Sequence, residues 1–117
     1  MADILVADDD PAIVDALRMM LEDEGFGVHT TLNAQDVAGL AAAGPDLILL
    51  DIWMSGHNGG DVCRNLKDDV STGDIPVVLM SANYDIKSIA HYAGADDYIF
   101  KPFNIDDMLI KIRRCLS

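Results

Sequence analysis

The sequence predicts an α/β fold, a parallel sheet with helices packed on both faces. Strand-like and helix-like stretches alternate five times along the 117 residues, and such alternation builds parallel strands joined by right-handed crossovers. Leu47-Ile48-Leu49-Leu50 is an unbroken aliphatic run, far too short to span a membrane, which marks a central strand covered on both sides. The apolar runs also end alike. Ile4 to Ala7 leads into Asp8-Asp9-Asp10, Leu50 into Asp51, Val77 to Met80 into Ser81-Ala82, and Tyr98 to Phe100 into Lys101-Pro102-Phe103. Ligands of open α/β sheets bind in the crevice beyond the carboxyl ends of the strands, so four endings suited to metal or phosphate point to one site.

Ile4 to Ala7 is the first strand. Asp10-Pro11 opens the first helix, because the carboxylate accepts free amide hydrogens of the first turn and proline is pre-set for the first helical position. Ile13, Val14, Leu17, Met20 and Leu21 recur at helical spacing on one buried face, and Gly25 ends the segment. Gly27 to Thr30 is half-polar and suits a sheet edge. Asn33 is placed to cap a second helix with Ala34, Val37, Leu40 and Ala41 inward and Gly44-Pro45 as its stop. After the central strand, residues 52–60 are rich in glycine and turn formers and form a loop over the crevice.

Val62, Cys63 and Leu66 mark a third helix, whose polar end leads into a flexible Ser71-Thr72-Gly73-Asp74. Ile75 to Met80 is the fourth strand, with Pro76 tolerated at its start. Ile86, Ile89, Ala90 and Ala93 give a short fourth helix that Gly94 stops, and residues 97–101 form the fifth strand. In the last helix Ile105, Met108, Leu109, Ile112 and Leu116 face inward. Asp106 and Asp107 in its first turn and Lys111, Arg113 and Arg114 toward its end complement the helix dipole.

Length and composition fit one domain, residues 1–117, half of whose residues are hydrophobic. With 20 acidic against 8 basic residues the formal charge is -12. That excludes direct nucleic-acid binding by this surface, since phosphate contacts need basic side chains. Cys63 and Cys115 lack CxxC spacing and lie among apolar helical residues, so both are expected as buried, reduced thiols. No charged-then-apolar leader precedes Ile4 and no apolar run approaches 18 residues, which predicts a soluble, cytoplasmic protein without membrane contact.

The set Asp8-Asp9, Asp51, Ser81-Ala82 and Lys101-Pro102 resembles the receiver domain of two-component response regulators, the CheY-like superfamily. Met54, Asn58-Gly59, the Gly94-Ala95-Asp96-Asp97-Tyr98 turn and Phe103 agree as well, and the likeness runs from Ile4 to about Leu116. It implies a doubly wound, flavodoxin-like three-layer sandwich whose five strands are ordered 2-1-3-4-5. It also implies that Asp51 is the phosphoacceptor, charged by a sensor histidine kinase or a histidine phosphotransfer protein. Such a protein is no conventional enzyme. It catalyses its own phosphorylation and a slow dephosphorylation.

The resemblance further brings Asp8, Asp9 and Asp51 to the same end of adjacent strands. Two carboxylates about 4 Å apart repel by roughly 4 kcal/mol at an effective dielectric near 20, so positive charge has to offset them. Hard oxygen ligands with room for water suit Mg²⁺. In the receiver pattern Asp9, Asp51 and the backbone carbonyl of Trp53 bind the ion directly, and Asp8 acts through a water. Lys101 contacts the phosphoryl oxygens, with a cis bond before Pro102 aiming it inward. Ser81 follows the phosphoryl group and Tyr98 is the aromatic switch that turns into the space this opens. The surface of the fourth helix, fifth strand and fifth helix then passes the signal to an output domain or effector protein.

Softer signals refine the picture. Ser55 stands where most receivers have proline, which implies a less rigid loop after Asp51. Trp53 and Asn83 flank the phosphoryl site, and the bulk of Trp53 is expected to shield it from water. His29, His57 and His91 read as surface or edge residues rather than ligands. A homodimer through the signalling surface is a further expectation, with Lys87, Asp97, Asp107 and Lys111 as cross-subunit ion pairs, each contributing little. Two other functions fit parts of the pattern. A receiver-like scaffold that works without phosphate is weakened because no acidic, hydroxyl or lysine position is lost. A phosphatase of the haloacid-dehalogenase type needs Asp-x-Asp-x-Thr on its first strand, and Asp8-Asp9-Asp10-Pro11 lacks the threonine.

Overall fold

A computed structural model describes residues 1–54 and 56–117. The chain alternates strand and helix in the order β1 (Asp3–Ala7), α1 (Pro11–Asp23), β2 (Gly27–Thr31), a 3₁₀ turn (Ala34–Asp36), α2 (Val37–Ala42), β3 (Leu47–Asp51), β4 (Trp53–Met54), β5 (His57–Asn58), α3 (Gly59–Asp68), β6 (Val77–Ser81), α4 (Ile86–Ala93), β7 (Asp97–Phe100) and α5 (Ile105–Leu116). Five strands pair in parallel in the order β2-β1-β3-β6-β7. This is the expected 2-1-3-4-5 arrangement, with β6 and β7 as the fourth and fifth strands of the sheet.

The aliphatic runs split cleanly by parity, as period-two side chains must. Ile4, Val6, Leu47, Leu49, Val78 and Met80 pack with Leu17 and Leu21 of α1 and Met108, Leu109 and Ile112 of α5. Leu5, Ala7, Ile48, Leu50, Val77 and Leu79 pack on the other face with Val37, Ala41, Cys63, Leu66, Ile86, Ala90 and Ala93. Every residue from Leu47 to Leu50 has no exposed surface, the reason this run carries no polar alternation.

Most helix ends form as their residues dictate. Asp10 accepts the amide of Ala12 ahead of Pro11, and Gly25, Gly44 and Gly94 take the left-handed conformation that closes the first, second and fourth helical segments. Two caps were not anticipated. Asn58 accepts from the Gly60 amide at 2.7 Å to start α3, and Asn104 accepts from Asp106 and Asp107 to start α5.

Four expectations are corrected. Asn33 makes no side-chain cap; its own amide donates to Thr31 Oγ1, and a 3₁₀ turn comes before a six-residue α2. That turn changes the helical phase, so Ala34, Val37 and Ala41 are buried while Leu40 is 37% exposed. Thr72 is not part of a flexible link: it is buried, and its hydroxyl donates to the Leu66 carbonyl at the end of α3. Cys115 is only partly buried, unlike Cys63; both are free thiols. The loop after Asp51 contains a two-residue antiparallel ribbon pairing Trp53 with Asn58 and Met54 with His57. The expectation about Ser55 falls outside the described residues. Among those residues no helix is long and apolar enough to cross a membrane.

Candidate functional site

Strand register alone assembles the site. Ala7 pairs with Leu50, Asp51 with Met80 and Ser81 with Phe100. The next residue along β1 and β7 is therefore Asp8 and Lys101, so these two and Asp51 arrive at one edge of the sheet. Lys101 Nζ donates to Asp8 Oδ2 at 2.6 Å and to Asp51 Oδ1 at 3.2 Å. Asp8 is 1% and Asp51 7% exposed. Asp8 spends its other oxygen on the Asp10 amide, at 3.0 Å, which locks the turn into α1. The peptide bond before Pro102 is cis, and the Lys101 amide donates to the Ser81 carbonyl.

One ammonium group does not balance the acids. Burial raises the Asp51 carboxyl above its ordinary range, the charges of Asp8 and, more weakly, Asp9 push the same way, and Lys101 pulls back without cancelling them. For Lys101 burial acts downward, but the bonds and charges of Asp8 and Asp51 outweigh it and hold the ammonium above its ordinary value.

Asp8, Asp9 and Asp51 each offer an oxygen, and these atoms lie within 4.8 Å of one another. Asp9 is the solvent-exposed member of the three. The donor set is entirely hard carboxylate oxygen, with neither nitrogen nor sulfur, and fits a small divalent cation such as magnesium better than zinc or copper. None of the three histidines belongs to the cluster; all lie at exposed positions.

The remaining predicted residues sit around this centre in different ways. Ser81 ends β6 at 9% exposure, and its Oγ accepts the Asn83 amide at 2.9 Å, leaving the hydroxyl proton free to be donated. Trp53 holds its backbone in the β4–β5 ribbon while its side chain is 62% exposed. Tyr98 packs partly buried against the α3–α4 side of the core. Lys111 lies over its ring at 4.8 Å, donates to its carbonyl, and pairs with Asp97 at 3.5 Å. Asp97 and Lys111, read as cross-subunit partners, are thus paired with each other inside one chain. Beside Lys101 an open apolar groove is walled by Ile13, Ala16, Leu17, Met20, Ala82 and Phe103.

The sequence marks Gly59 only as part of the receiver resemblance and does not say why glycine stands there. The position has no left-handed backbone; what demands glycine is space, because a Cβ there would stand 2.7 Å from Ile52 Cα, 2.9 Å from its carbonyl oxygen and closer still to the carbonyl of Asp51. Apart from that resemblance the residue looks like one more turn former in a glycine-rich loop.

A buried, acid-rich crevice at the carboxyl ends of a parallel sheet, bridged by one lysine, defines a class of site, and the comparisons give the family. The model of the response regulator receiver domain matches residues 4–113, and the chain belongs to that family. A similar protein is the DNA-binding dual master transcriptional regulator RpaA of Synechocystis sp., 40% identical over 116 residues, covering 97% of this chain and 48% of the relative. Among solved structures, the signal receiver domain of a signal transduction histidine kinase from Syntrophus aciditrophicus superposes with a TM-score of 0.90 at 31% identity, covering 100% of this chain and 91% of that one. Chemotaxis protein CheY4 of Vibrio cholerae shares the fold, with a TM-score of 0.91 at 24% identity and coverage of 99% of both chains. The chain spans about half the length of the curated relatives it matches.

Proposed function

We propose that this receiver accepts a phosphoryl group on Asp51 from the phosphohistidine of a sensor histidine kinase or a histidine phosphotransfer protein. The observation that carries the reading is the Lys101 ammonium shared between two buried carboxylates, Asp8 and Asp51, at the strand ends. A carboxylate oxygen of Asp51 attacks the phosphorus, the P–N bond breaks, and the imidazole leaves with the bonding pair, producing an acyl phosphate. The transition state is loosely bonded, so the work falls to positioning and to stabilising charge.

The chain's own groups do that work. Lys101 turns from the Asp51 carboxylate to the incoming phosphoryl oxygens while keeping its bond to Asp8. The Ser81 hydroxyl donates a hydrogen bond to a phosphoryl oxygen, which draws in the segment leading to α4. Tyr98 then has room to turn from under Lys111, altering the face built by α4, β7 and α5. Asp9, Asp51 and the Trp53 carbonyl, with Asp8 acting through a water, would hold a magnesium ion, which when bound supplies positive charge for the phosphoryl oxygens. The apolar groove beside Lys101 is the surface against which the histidine-bearing partner lies.

Residues 1–117 act as one receiver domain whose altered face engages an output domain, an effector protein or a second copy. Its own net negative surface takes no part in any nucleic-acid contact made by a longer protein. Intact-mass measurement after incubation with acetyl phosphate and Mg²⁺ tests the reading. Wild type is expected to gain one phosphoryl group and Asp51→Asn none. No gain by wild type would favour the phosphate-independent scaffold instead.

A further inference from the structure

We infer that Gly59 is a positioning residue for Asp51, the point at which the start of α3 sets where the phosphoacceptor's backbone lies. The inference rests on Asp51 being the phosphoacceptor and adds the element that aims it. The chain leaves β3 at Asp51, makes the β4–β5 ribbon, and returns so that the Gly59 amide donates to the Ile52 carbonyl. From the other side the Ile52 amide donates to the Met80 carbonyl at 2.9 Å. The peptide after Asp51 is therefore clamped between β6 and the first residue of α3.

The clamp closes because residue 59 has no side chain. Backbone atoms of Asp51 and Ile52 occupy the place a Cβ would take, and backbone has less room to yield than the tip of a flexible side chain. Its neighbour supplies a contrast. A Cβ on Gly60 would meet the side chains of Asn58 and Ile89 at 3.0 Å, atoms that move by rotation, and would touch no part of Asp51. Adjacent glycines in one helical turn thus serve different ends, Gly60 the packing of α3 on α4 and Gly59 the site. An added methyl at residue 59 displaces the Asp51 and Ile52 carbonyls, and with them the carboxylate and the Trp53 carbonyl two residues along.

The test uses Trp53, the chain's only tryptophan, as a fluorescence reporter of Mg²⁺ binding, together with acetyl phosphate labelling followed by intact mass. Gly59→Ala is expected to raise the magnesium half-saturation about tenfold and to slow labelling at saturating magnesium by a similar factor. Gly60→Ala is expected to stay within twofold of wild type on both. A defect of folding alone lowers the fraction of molecules that label and leaves the magnesium half-saturation unchanged. That result, or equal effects of the two variants, overturns the inference. If Gly59→Ala does not fold, Asn58→Ala releases the same turn by removing the bond to the Gly60 amide. A several-fold rise in half-saturation then supports the clamp and an unchanged value overturns it. Wild type that fails to label refutes the phosphoacceptor reading separately, while the magnesium titrations still decide whether Gly59 sets the site.

Discussion

Lys67 and Lys101 each bind aspartate near one end of β7, and they differ in how far the charges are satisfied. Lys67 Nζ meets Asp96 Oδ2 at 2.7 Å and the Ile75 carbonyl at 2.8 Å, while the same Asp96 oxygen also accepts the Val77 amide at 2.8 Å. One cation faces one anion, and neutral backbone groups complete both. Lys101 faces two buried carboxylates with a third within reach, so negative charge stays in excess. The first arrangement closes on itself and ties α3, β6 and the approach to β7 together. The second keeps a demand for positive charge, which is what the proposed phosphoryl transfer requires.

Breaking each end separates the two roles. The largest effect is expected for Lys101→Ala, which leaves the buried Asp8 carboxylate without its ammonium: a loss of about 3 kcal/mol in urea unfolding, and labelling by acetyl phosphate at least 100-fold slower. Asp96→Ala is expected to cost about 2 kcal/mol, through the lost charged bonds to Lys67 and the Val77 amide, with labelling unchanged. A labelling defect in that variant would mean the two ends of β7 are not independent.

Asp51→Asn is expected to raise the melting temperature at neutral pH. A carboxyl whose folded pKa lies above its unfolded value of 3.8 contributes stability that is whole below that value and is lost as pH rises through the folded one. The amide does not titrate, so its advantage over wild type appears on the neutral side and closes below about pH 3.8. Melting curves across that range check both the sign and the window. The smallest change is assigned to Trp53→Ala, a several-fold shorter dephosphorylation half-life. An unchanged half-life removes the shielding role.

The convergence of the candidate site's residues was legible because they sit at strand ends. Asp8, Asp51, Ser81 and Lys101 each follow an apolar run, and parallel pairing brings such positions together without knowledge of any other contact. What escaped depends on contacts that periodicity cannot encode. Thr72 looks like a linker residue until its hydroxyl is seen to close the last turn of α3. Leu40 fits a helical stripe only if the helix starts at Asn33, and the 3₁₀ turn shifts that phase. Gly59 belongs to the receiver pattern in sequence, but its steric reason stays hidden there, since the backbone that crowds it is seven and eight residues earlier. The ion pair of Lys111 with Asp97 within one chain likewise depends on packing that periodicity does not show.

The unequal surroundings of the two thiols have a practical outcome. Cys63 is fully enclosed, lies 3.6 Å from the Ala93 carbonyl, and burial pushes its pKa up to about 11. Burial raises the Cys115 thiol as well, but its partial exposure makes it the expected site of attachment for a maleimide dye or spin label on the native protein. A spectroscopic reporter on α5, away from the aspartates, can then be installed in the unaltered sequence to show in real time whether the face of α4, β7 and α5 changes on phosphorylation.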